Sequence, residues 1–194
     1  MTRLLLIRHA ESEWNAQGRW QGQADPGLSE LGRRQARTGA SKLAGSIERI
    51  VTSDLQRAAT TADIIGEVLG LGPVERVPAL REIDVGEWSG LTSPEIEERW
   101  PGAIDRWRRG EGAAHGGEDR DGFRERILAA VASLAGPGKG PLLVVTHGGA
   151  IGVIERYLDV HPGLPMPKLA GRWFSYDGVL RADGDRIELV DVER

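Results

Sequence analysis

Two histidines, two arginines and one glutamate have the chemical properties needed to act on a phosphate group: His9, His147, Arg8, Arg57 and Glu82. A neutral histidine is a competent nucleophile at phosphorus, and nearby arginine charge helps to keep its pKa from rising. Two arginine forks can bind phosphate oxygens, a second, protonated histidine can stabilise the transferring group, and a carboxylic acid can protonate the departing alcohol. These residue types indicate phosphate chemistry, provided that the fold brings them together.

Strands alternate with helices along most of the chain. Apolar runs and helical periodicity predict strands at 3–7, 48–52, 74–77 and 141–146, helices at 30–43, 55–69, 95–100, 119–134 and 148–158, and closing strands near 173–179 and 186–192. The expected helix N-caps include Asp54, Ser93 and Asp119. This order predicts an α/β fold, in which a mainly parallel sheet is covered by helices on both faces.

The predicted strand ends place the five polar residues at one edge of this sheet. Arg8 and His9 end the first strand, and His147 ends the fourth. Arg57 lies in the first turn of the helix after the second strand, and Glu82 lies just beyond the third strand. Because ligands of such sheets bind at the carboxyl ends of the strands, we expect one shared site. A divalent metal held by the histidines and the glutamate is the competing interpretation, and the flanking arginines disfavour it.

The composition excludes several classes of function. The chain has no cysteine, which rules out disulfides, thiolate metal sites and a cysteine nucleophile. Its net charge of -4 gives no electrostatic reason to expect nucleic-acid binding, and no apolar run reaches membrane-spanning length. The 194 residues suit a single domain over 1–194, and we expect a cytoplasmic protein.

Four segments resemble the motifs of the histidine phosphatase superfamily, in its phosphoglycerate mutase-like branch. They are Leu6-Ile7-Arg8-His9-Ala10-Glu11-Ser12-Glu13-Trp14-Asn15, Thr52-Ser53-Asp54-Leu55-Gln56-Arg57-Ala58, Leu80-Arg81-Glu82 followed by Gly86, and Val145-Thr146-His147-Gly148-Gly149. Their order and spacing are similar to those of the family over roughly residues 3–192. The resemblance implies a three-layer domain with a six-stranded, mostly parallel sheet between helices.

The resemblance also implies a role for each site residue. His9 would be the nucleophile that forms a phosphohistidine, and Glu82 would protonate the leaving group and then activate water. The residues that would bind the phosphoryl group or line its pocket are Arg8, Arg57, His147, Asn15, Gln21, Gly22 and Gly148. Neither a metal ion nor another cofactor would be required.

Three functions fit this set of residues. The leading hypothesis is hydrolysis of a small phosphate ester, of the sugar phosphate or phosphoglycerate type. The first alternative is a cofactor-dependent phosphoglycerate mutase, which is disfavoured because the segment from Glu82 to His147 is short and residues 83–90 resemble the phosphatases. The second alternative is a non-catalytic phosphate-binding or regulatory module, which is disfavoured because all five site residues are present. We expect a small-molecule partner, no nucleic acid and no membrane; a homodimer is left open.

Two histidines and two tryptophans outside this set of site residues also have expected positions. His115 lies in a loop and is expected to face solvent. His161 belongs to no motif and is expected to be structural or exposed. Trp20 and Trp88 fall in loops near motif residues, where either could wall the pocket.

Overall fold

A six-stranded sheet forms the centre of the molecule. The computed structural model describes residues 1–136 and 140–190, and its strands are β1 (Thr2–Arg8), β2 (Arg49–Thr52), β3 (Glu75–Arg76), β4 (Leu142–Thr146), β5 (Ala170–Tyr176) and β6 (Leu180–Glu188). They lie in the order β3-β2-β4-β1-β5-β6. The first four strands in that order run parallel, whereas β5 is antiparallel to β1, and β6 to β5. The predicted mainly parallel sheet is confirmed.

Helices cover both faces of the sheet and complete a three-layer α/β domain. They are α1 (Glu13–Ala16), α2 (Glu30–Ser41), α3 (Gln56–Leu69), α4 (Ser93–Arg99), α5 (Ala103–Arg108), α6 (Arg120–Leu134) and α7 (Gly148–Tyr157). Residues of α2 and α3 form one apolar cluster with the sheet, and residues of α4 to α7 form the other. None of the helices in the described residues is long and apolar enough to cross a membrane.

The central strands are apolar throughout because helices cover both of their faces. In β1, Leu4 and Leu6 belong to the cluster beneath α6 and α7, whereas Leu5 and Ile7 belong to the cluster beneath α2 and α3. β4 alternates in the same way. Strands buried on both faces appear in a sequence as continuous apolar runs, so both of these strands were predictable.

One predicted helix cap is wrong because its side chain makes a tertiary contact instead. The N-cap of α3 is Leu55, which supplies no side-chain hydrogen bond. The Asp54 carboxylate accepts two hydrogen bonds from Arg81, at 2.8 and 2.6 Å, and this ion pair ties α3 to the segment before Glu82. The predicted cap Asp119 is confirmed, since its carboxylate accepts two backbone N–H groups in the first turn of α6.

The predicted cap Ser93 is also wrong. Thr92 is the N-cap of α4 and forms a capping box with Glu95. The Ser93 hydroxyl accepts the indole N–H of Trp20 at 3.1 Å instead. Helix α4 is therefore fastened at its first residue to the loop that follows α1.

The sequence missed two short helices and placed the last two strands too late. No helix was predicted at α1 or α5, which have only 4 and 6 residues. The chain turns at Asp177-Gly178, where Gly178 has a φ of 101°, so β5 ends before residue 179. The last two residues of the predicted strand 186–192 lie outside the described residues.

A buried ion cluster ties α7 to the antiparallel edge of the sheet. Glu155 on α7 is 0% exposed, and its carboxylate accepts hydrogen bonds from Arg172 at 3.0 Å and from Arg186. Burial alone raises the pKa of Glu155, but the hydrogen bonds and charges of the two arginines outweigh this effect and lower the pKa overall. The cluster thus stabilises the fold while the carboxylate is ionised.

Replacing Glu155 with glutamine is expected to destabilise the protein by about 3 kcal/mol, because two largely buried arginines lose their counter-charge. Urea unfolding at pH 7 measures this loss. The exposed Glu125→Gln on α6 is the matched control, and its effect should stay within about 0.5 kcal/mol. Since the folded pKa of Glu155 is lowered, its contribution is present above the usual value of 4.5 and is lost as the pH falls towards the folded pKa. A difference between variants that does not shrink at low pH would contradict the ion-pair explanation.

Candidate active site

The carboxyl ends of the strands bring the predicted site residues together. A cleft of about 920 Å³ opens at this edge, and the predicted residues among its lining are Arg8, His9, Asn15, Gln21, Gly22, Arg57, Glu82 and Gly148. His147 is fully buried beside the cleft, and its ring centroid is 5.3 Å from that of His9. All nine residues named from the sequence therefore meet in one place.

A backbone hydrogen bond fixes the tautomer of His9. Its Nδ1–H donates a hydrogen bond to the backbone carbonyl of Ala10 at 2.6 Å, so the neutral ring carries its lone pair on Nε2. Burial lowers the pKa of His9 well below its usual value, and the positive charges of Arg57 and Arg8 lower it further. The imidazole is therefore neutral at physiological pH, and Nε2 carries its lone pair.

His147 is also neutral in the absence of a ligand, and its protonation beside a bound phosphoryl group stays a prediction. Burial lowers the pKa of His147 well below its usual value, and the positive charges of Arg57 and Arg8 lower it further. Its Nε2 shares a hydrogen bond of 2.9 Å with the hydroxyl of Ser53, and its buried Nδ1 has no partner among the described residues. A phosphate dianion beside this ring would favour the protonated form.

The buried Arg57 and the half-buried Arg8 supply the positive charge of the site. Nη1 of Arg8 donates to the carbonyl of Met166 at 2.7 Å. Arg57 donates to the carbonyls of Gly22 and Ala24, both at 2.7 Å, and so holds the loop that lines the cleft. Burial lowers the pKa of both arginines, that of Arg57 to about 10, and both stay cationic at neutral pH. The Nε–H of each is buried without an acceptor among the described residues, so each retains a donor for an anion.

Backbone contacts fix the carboxylate of Glu82. One oxygen accepts the N–H of Ile83 at 2.9 Å, and the other accepts the N–H of Gly149 at 2.9 Å. The carboxylate therefore bridges its own segment and the first turn of α7. A Cβ atom at position 149 would overlap this carboxylate, which explains why a glycine fits there.

Arg126 holds the segment that carries Glu82. Its guanidinium donates to the carbonyls of Ala79 and Arg81, both at 3.0 Å, and it forms an ion pair of 2.7 Å with Glu118. Arg126 lies on α6 and belongs to no recognised motif. It is a positioning residue that the sequence did not reveal, because its partners are carbonyl groups 45 and 47 residues away.

Comparison with known proteins identifies the family. Residues 4–187 match the model of the histidine phosphatase superfamily (branch 1). The chain belongs to the histidine phosphatase superfamily. It is 39% identical over 204 residues to the glucosyl-3-phosphoglycerate phosphatase of Mycolicibacterium vanbaalenii, with 98% of this chain and 90% of that protein covered.

Further relatives place the chain among the phosphatases of this superfamily. It is 37% identical to the metal-independent phosphoserine phosphatase of Arabidopsis thaliana, with 87% of this chain and 73% of that protein covered. Among solved structures, a mycobacterial glucosyl-3-phosphoglycerate phosphatase in complex with VO3 aligns with a TM-score of 0.81 and 36% identity, over 93% of this chain and 96% of that chain. The predicted phosphoglycerate mutase-like fold and the phosphatase class are confirmed.

The walls of this histidine phosphatase cleft include one of the two candidate tryptophans and one unexpected histidine. Trp20 lines the cleft, whereas Trp88 is buried in the core behind it, with the two rings 5.3 Å apart at their centroids. His115 is exposed and pairs with Glu87 at 2.6 Å, as expected for a solvent-facing residue. His161 also lines the cleft, so its expected role as a merely structural or exposed residue is incomplete.

The sequence also missed Trp107, which lines the cleft from α5. Its ring packs edge-on against Trp20, with the centroids 5.2 Å apart. No helix was predicted for this segment. The available signal was Ile104 three positions before Trp107, a spacing that indicates one face of a helix.

Replacing Gly149 with alanine is expected to slow hydrolysis of alkyl phosphates by roughly 10²-fold, because the added methyl group displaces the Glu82 carboxylate. Inhibition by inorganic phosphate should change less than about threefold, since the arginines are untouched. Gly148→Ala is the comparison, because its Cβ would lie at an ordinary contact distance of 3.5 Å from Arg8. Equal losses of turnover in the two variants would show that position 149 has no special role in placing the Glu82 carboxylate.

Proposed function

We propose that the protein is a metal-independent phosphomonoesterase that hydrolyses a small phosphorylated metabolite through a phosphohistidine on His9. The observation that carries this proposal is the state of His9: a neutral ring with its Nε2 lone pair free, beside two arginines whose Nε–H groups are buried without an acceptor among the described residues. Membership of the superfamily and the phosphatase activity named for its relatives support it.

In the first step, Nε2 of His9 attacks phosphorus and the bond between phosphorus and the ester oxygen breaks. Arg8 and Arg57 bind the phosphoryl oxygens and stabilise the charge that spreads over them in the transition state. Glu82, in its acid form, protonates the departing oxygen, so an alcohol leaves. His147 and the N–H of Gly148 at the start of α7 face the same group and add donors.

In the second step, water takes the place of the alcohol. The Glu82 carboxylate accepts a proton from this water, whose oxygen attacks phosphorus, and the bond to Nε2 breaks. Inorganic phosphate leaves, and both His9 and Glu82 return to their starting states. The same carboxyl group serves as acid and then as base, because the departing alcohol oxygen and the attacking water oxygen occupy the same position next to phosphorus.

Asn15 and Gln21 are proposed to bind phosphate oxygens through their amide groups. The carbonyl oxygen of Gln21 accepts the hydroxyl of Ser12 at 2.8 Å, and that of Asn15 accepts the backbone N–H of Ser12 at 3.2 Å. With both oxygens engaged, the NH₂ ends are the groups left to donate. Gly22, whose φ is +51°, passes close to Val85, where a side chain would clash.

The other expectations about this protein stay predictions. They are a single histidine phosphatase domain over 1–194, a cytoplasmic location and the choice between monomer and homodimer. Within the described ranges, no group of three or more histidine, aspartate or glutamate residues is arranged to hold a metal ion.

The product distribution separates phosphatase from mutase. The protein is given 3-phosphoglycerate with a trace of 2,3-bisphosphoglycerate, and both phosphate and 2-phosphoglycerate are measured. We expect free phosphate with little 2-phosphoglycerate, because hydrolysis requires only that water reach the phosphohistidine. Rapid interconversion of the two monophosphates without phosphate release would overturn the proposal in favour of a mutase.

His9→Ala is expected to lower turnover by several orders of magnitude, because His9 forms the covalent bond to phosphorus. A radioactive substrate should label the wild-type protein on His9, with a bond that is stable to base and unstable to acid. Wild-type folding of the variant is checked by its thermal unfolding. A variant that keeps a tenth of the wild-type turnover would show that another group is the nucleophile.

Glu82→Gln is expected to slow alkyl phosphates by roughly 10²-fold or more and aryl phosphates by less than about tenfold, because aryl oxygens leave with little help from an acid. The comparison uses a phenyl phosphate series and a simple alkyl phosphate under identical conditions. Equal slowing of both classes would exclude Glu82 as the proton donor.

A further inference from the structure

Side chains from two helices hold the backbone that directly follows His9. The N–H of Ala10 donates to the hydroxyl of Thr61 on α3 at 3.1 Å, and the N–H of Glu11 donates to the side-chain oxygen of Gln35 on α2 at 3.2 Å. Gln35 and Thr61 lie outside the lining of the cleft. Any effect of these two side chains on the reaction must therefore pass through the backbone that they bind.

The hydrogen bond to Gln35 belongs to the same peptide unit as the one that fixes the tautomer of His9. A peptide unit joins the carbonyl of one residue to the N–H of the next, so the Ala10 carbonyl and the Glu11 N–H lie in one plane. The carbonyl end of this unit accepts the Nδ1–H of His9 at 2.6 Å, and its N–H end donates to Gln35. Gln35 thus sets the orientation of the oxygen that holds the proton of His9.

The two hydrogen bonds on this peptide unit reinforce each other. An acceptor bound at the N–H end polarises the amide, and the carbonyl oxygen at the other end becomes a stronger acceptor in turn. A stronger acceptor stabilises the neutral form of His9 that has its proton on Nδ1 and its lone pair on Nε2. Loss of the contact with Gln35 would weaken this preference and leave the peptide unit freer to tilt.

The contact uses only the oxygen of the Gln35 side chain. A backbone N–H needs an acceptor, so the amide oxygen and not the NH₂ group faces Glu11. The side chain of Gln35 is half-buried, which leaves its NH₂ group within reach of solvent. A side chain of the same length with an acceptor oxygen should therefore replace glutamine, whereas one without an acceptor should not.

The first turns of α2 are shaped to bring Gln35 to this position. The carbonyl of Glu11 accepts the backbone N–H of Ser29, the N-cap of α2, at 3.0 Å. A Cβ atom at Gly32 would overlap the same carbonyl, so glycine allows the helix to approach this closely. Gly32 and Gln35 are three positions apart and share one face of α2. The helix therefore holds Glu11 at both its N–H and its carbonyl.

We infer that Gln35 is a positioning residue for the nucleophile, which acts through the Ala10–Glu11 peptide unit to keep the proton of His9 on Nδ1 and the lone pair on Nε2. This inference rests on the proposed function, since it concerns the reactivity of the same histidine. Loss of the Gln35 oxygen should slow the attack on phosphorus and leave the binding of phosphate unchanged, because the arginines of the site do not depend on this contact.

Two substitutions of Gln35 separate the acceptor oxygen from the length of the side chain. Gln35→Met keeps the length without the oxygen, and it should lower kcat/KM for p-nitrophenyl phosphate by roughly 10-fold while inhibition by inorganic phosphate changes less than about twofold. Gln35→Glu keeps an acceptor oxygen, and its kcat/KM should stay within about threefold of wild type. Thr38→Met, at an exposed position of α2, is the matched control and should change neither quantity.

The tautomer of His9 provides a measurement that does not depend on turnover. Nitrogen NMR of protein labelled in its histidine rings distinguishes a protonated ring nitrogen from one that carries a lone pair, and His9→Ala assigns the signals. Wild-type protein and Gln35→Glu should show His9 protonated on Nδ1. Gln35→Met should show a measurable fraction of His9 protonated on Nε2 instead.

The possible failures give different results. A wild-type tautomer in Gln35→Met, or equal losses of kcat/KM in Gln35→Met and Gln35→Glu, would overturn the inference in favour of a purely structural role for Gln35. If thermal unfolding shows that Gln35→Met does not fold, Gln35→Asn takes its place with the same expected results, because its side chain is one methylene too short to reach Glu11. Failure of the wild-type protein to hydrolyse p-nitrophenyl phosphate, with His9 protonated on Nδ1, would instead overturn the proposed function.

Discussion

The parallel pairing of β1 with β4 sets the geometry of the whole site. Arg8 lies opposite Thr146 in this register, and the N–H of His9 continues the ladder to the Thr146 carbonyl at 2.9 Å. His9 and His147 therefore leave adjacent strands at the same level, which brings their rings together. A slip of one residue would turn each side chain to the opposite face of the sheet. The register is secure because β1 and β4 are buried on both faces.

The site concentrates positive charge at the inner end of the cleft. Keeping Arg8 and Arg57 ionised there is costly, and backbone carbonyls of the surrounding loops offset part of that cost. The carbonyls carry only partial charge, so a net positive potential remains for a phosphate dianion to neutralise. Because the same arginine contacts hold the loops, the site is organised before substrate arrives. The neutrality of both histidines follows from this potential and from their burial.

The sequence was informative where function depends on strand ends and less so where it depends on tertiary contacts. Continuous apolar runs located β1 and β4, and the residues that follow them gave Arg8, His9 and His147. The caps of α3 and α4 were mispredicted because Asp54 and Ser93 bond to residues far along the chain. Similarly, His161 reaches the cleft through the path of the segment after α7, which has no periodic pattern. A single sequence carries no signal for such pairings across loops.

A main-chain atom, rather than a neighbouring side chain, selects the reactive form of His9. Every amino acid at position 10 offers the same carbonyl oxygen, so no point substitution there deletes the acceptor. Selection at position 10 can act on the volume of the side chain, because Ala10 is fully buried and its N–H donates to the hydroxyl of Thr61. The tautomer of His9 is thus inherited with the path of the backbone. The side chains at the rim of the cleft can vary while the lone pair of His9 stays on Nε2.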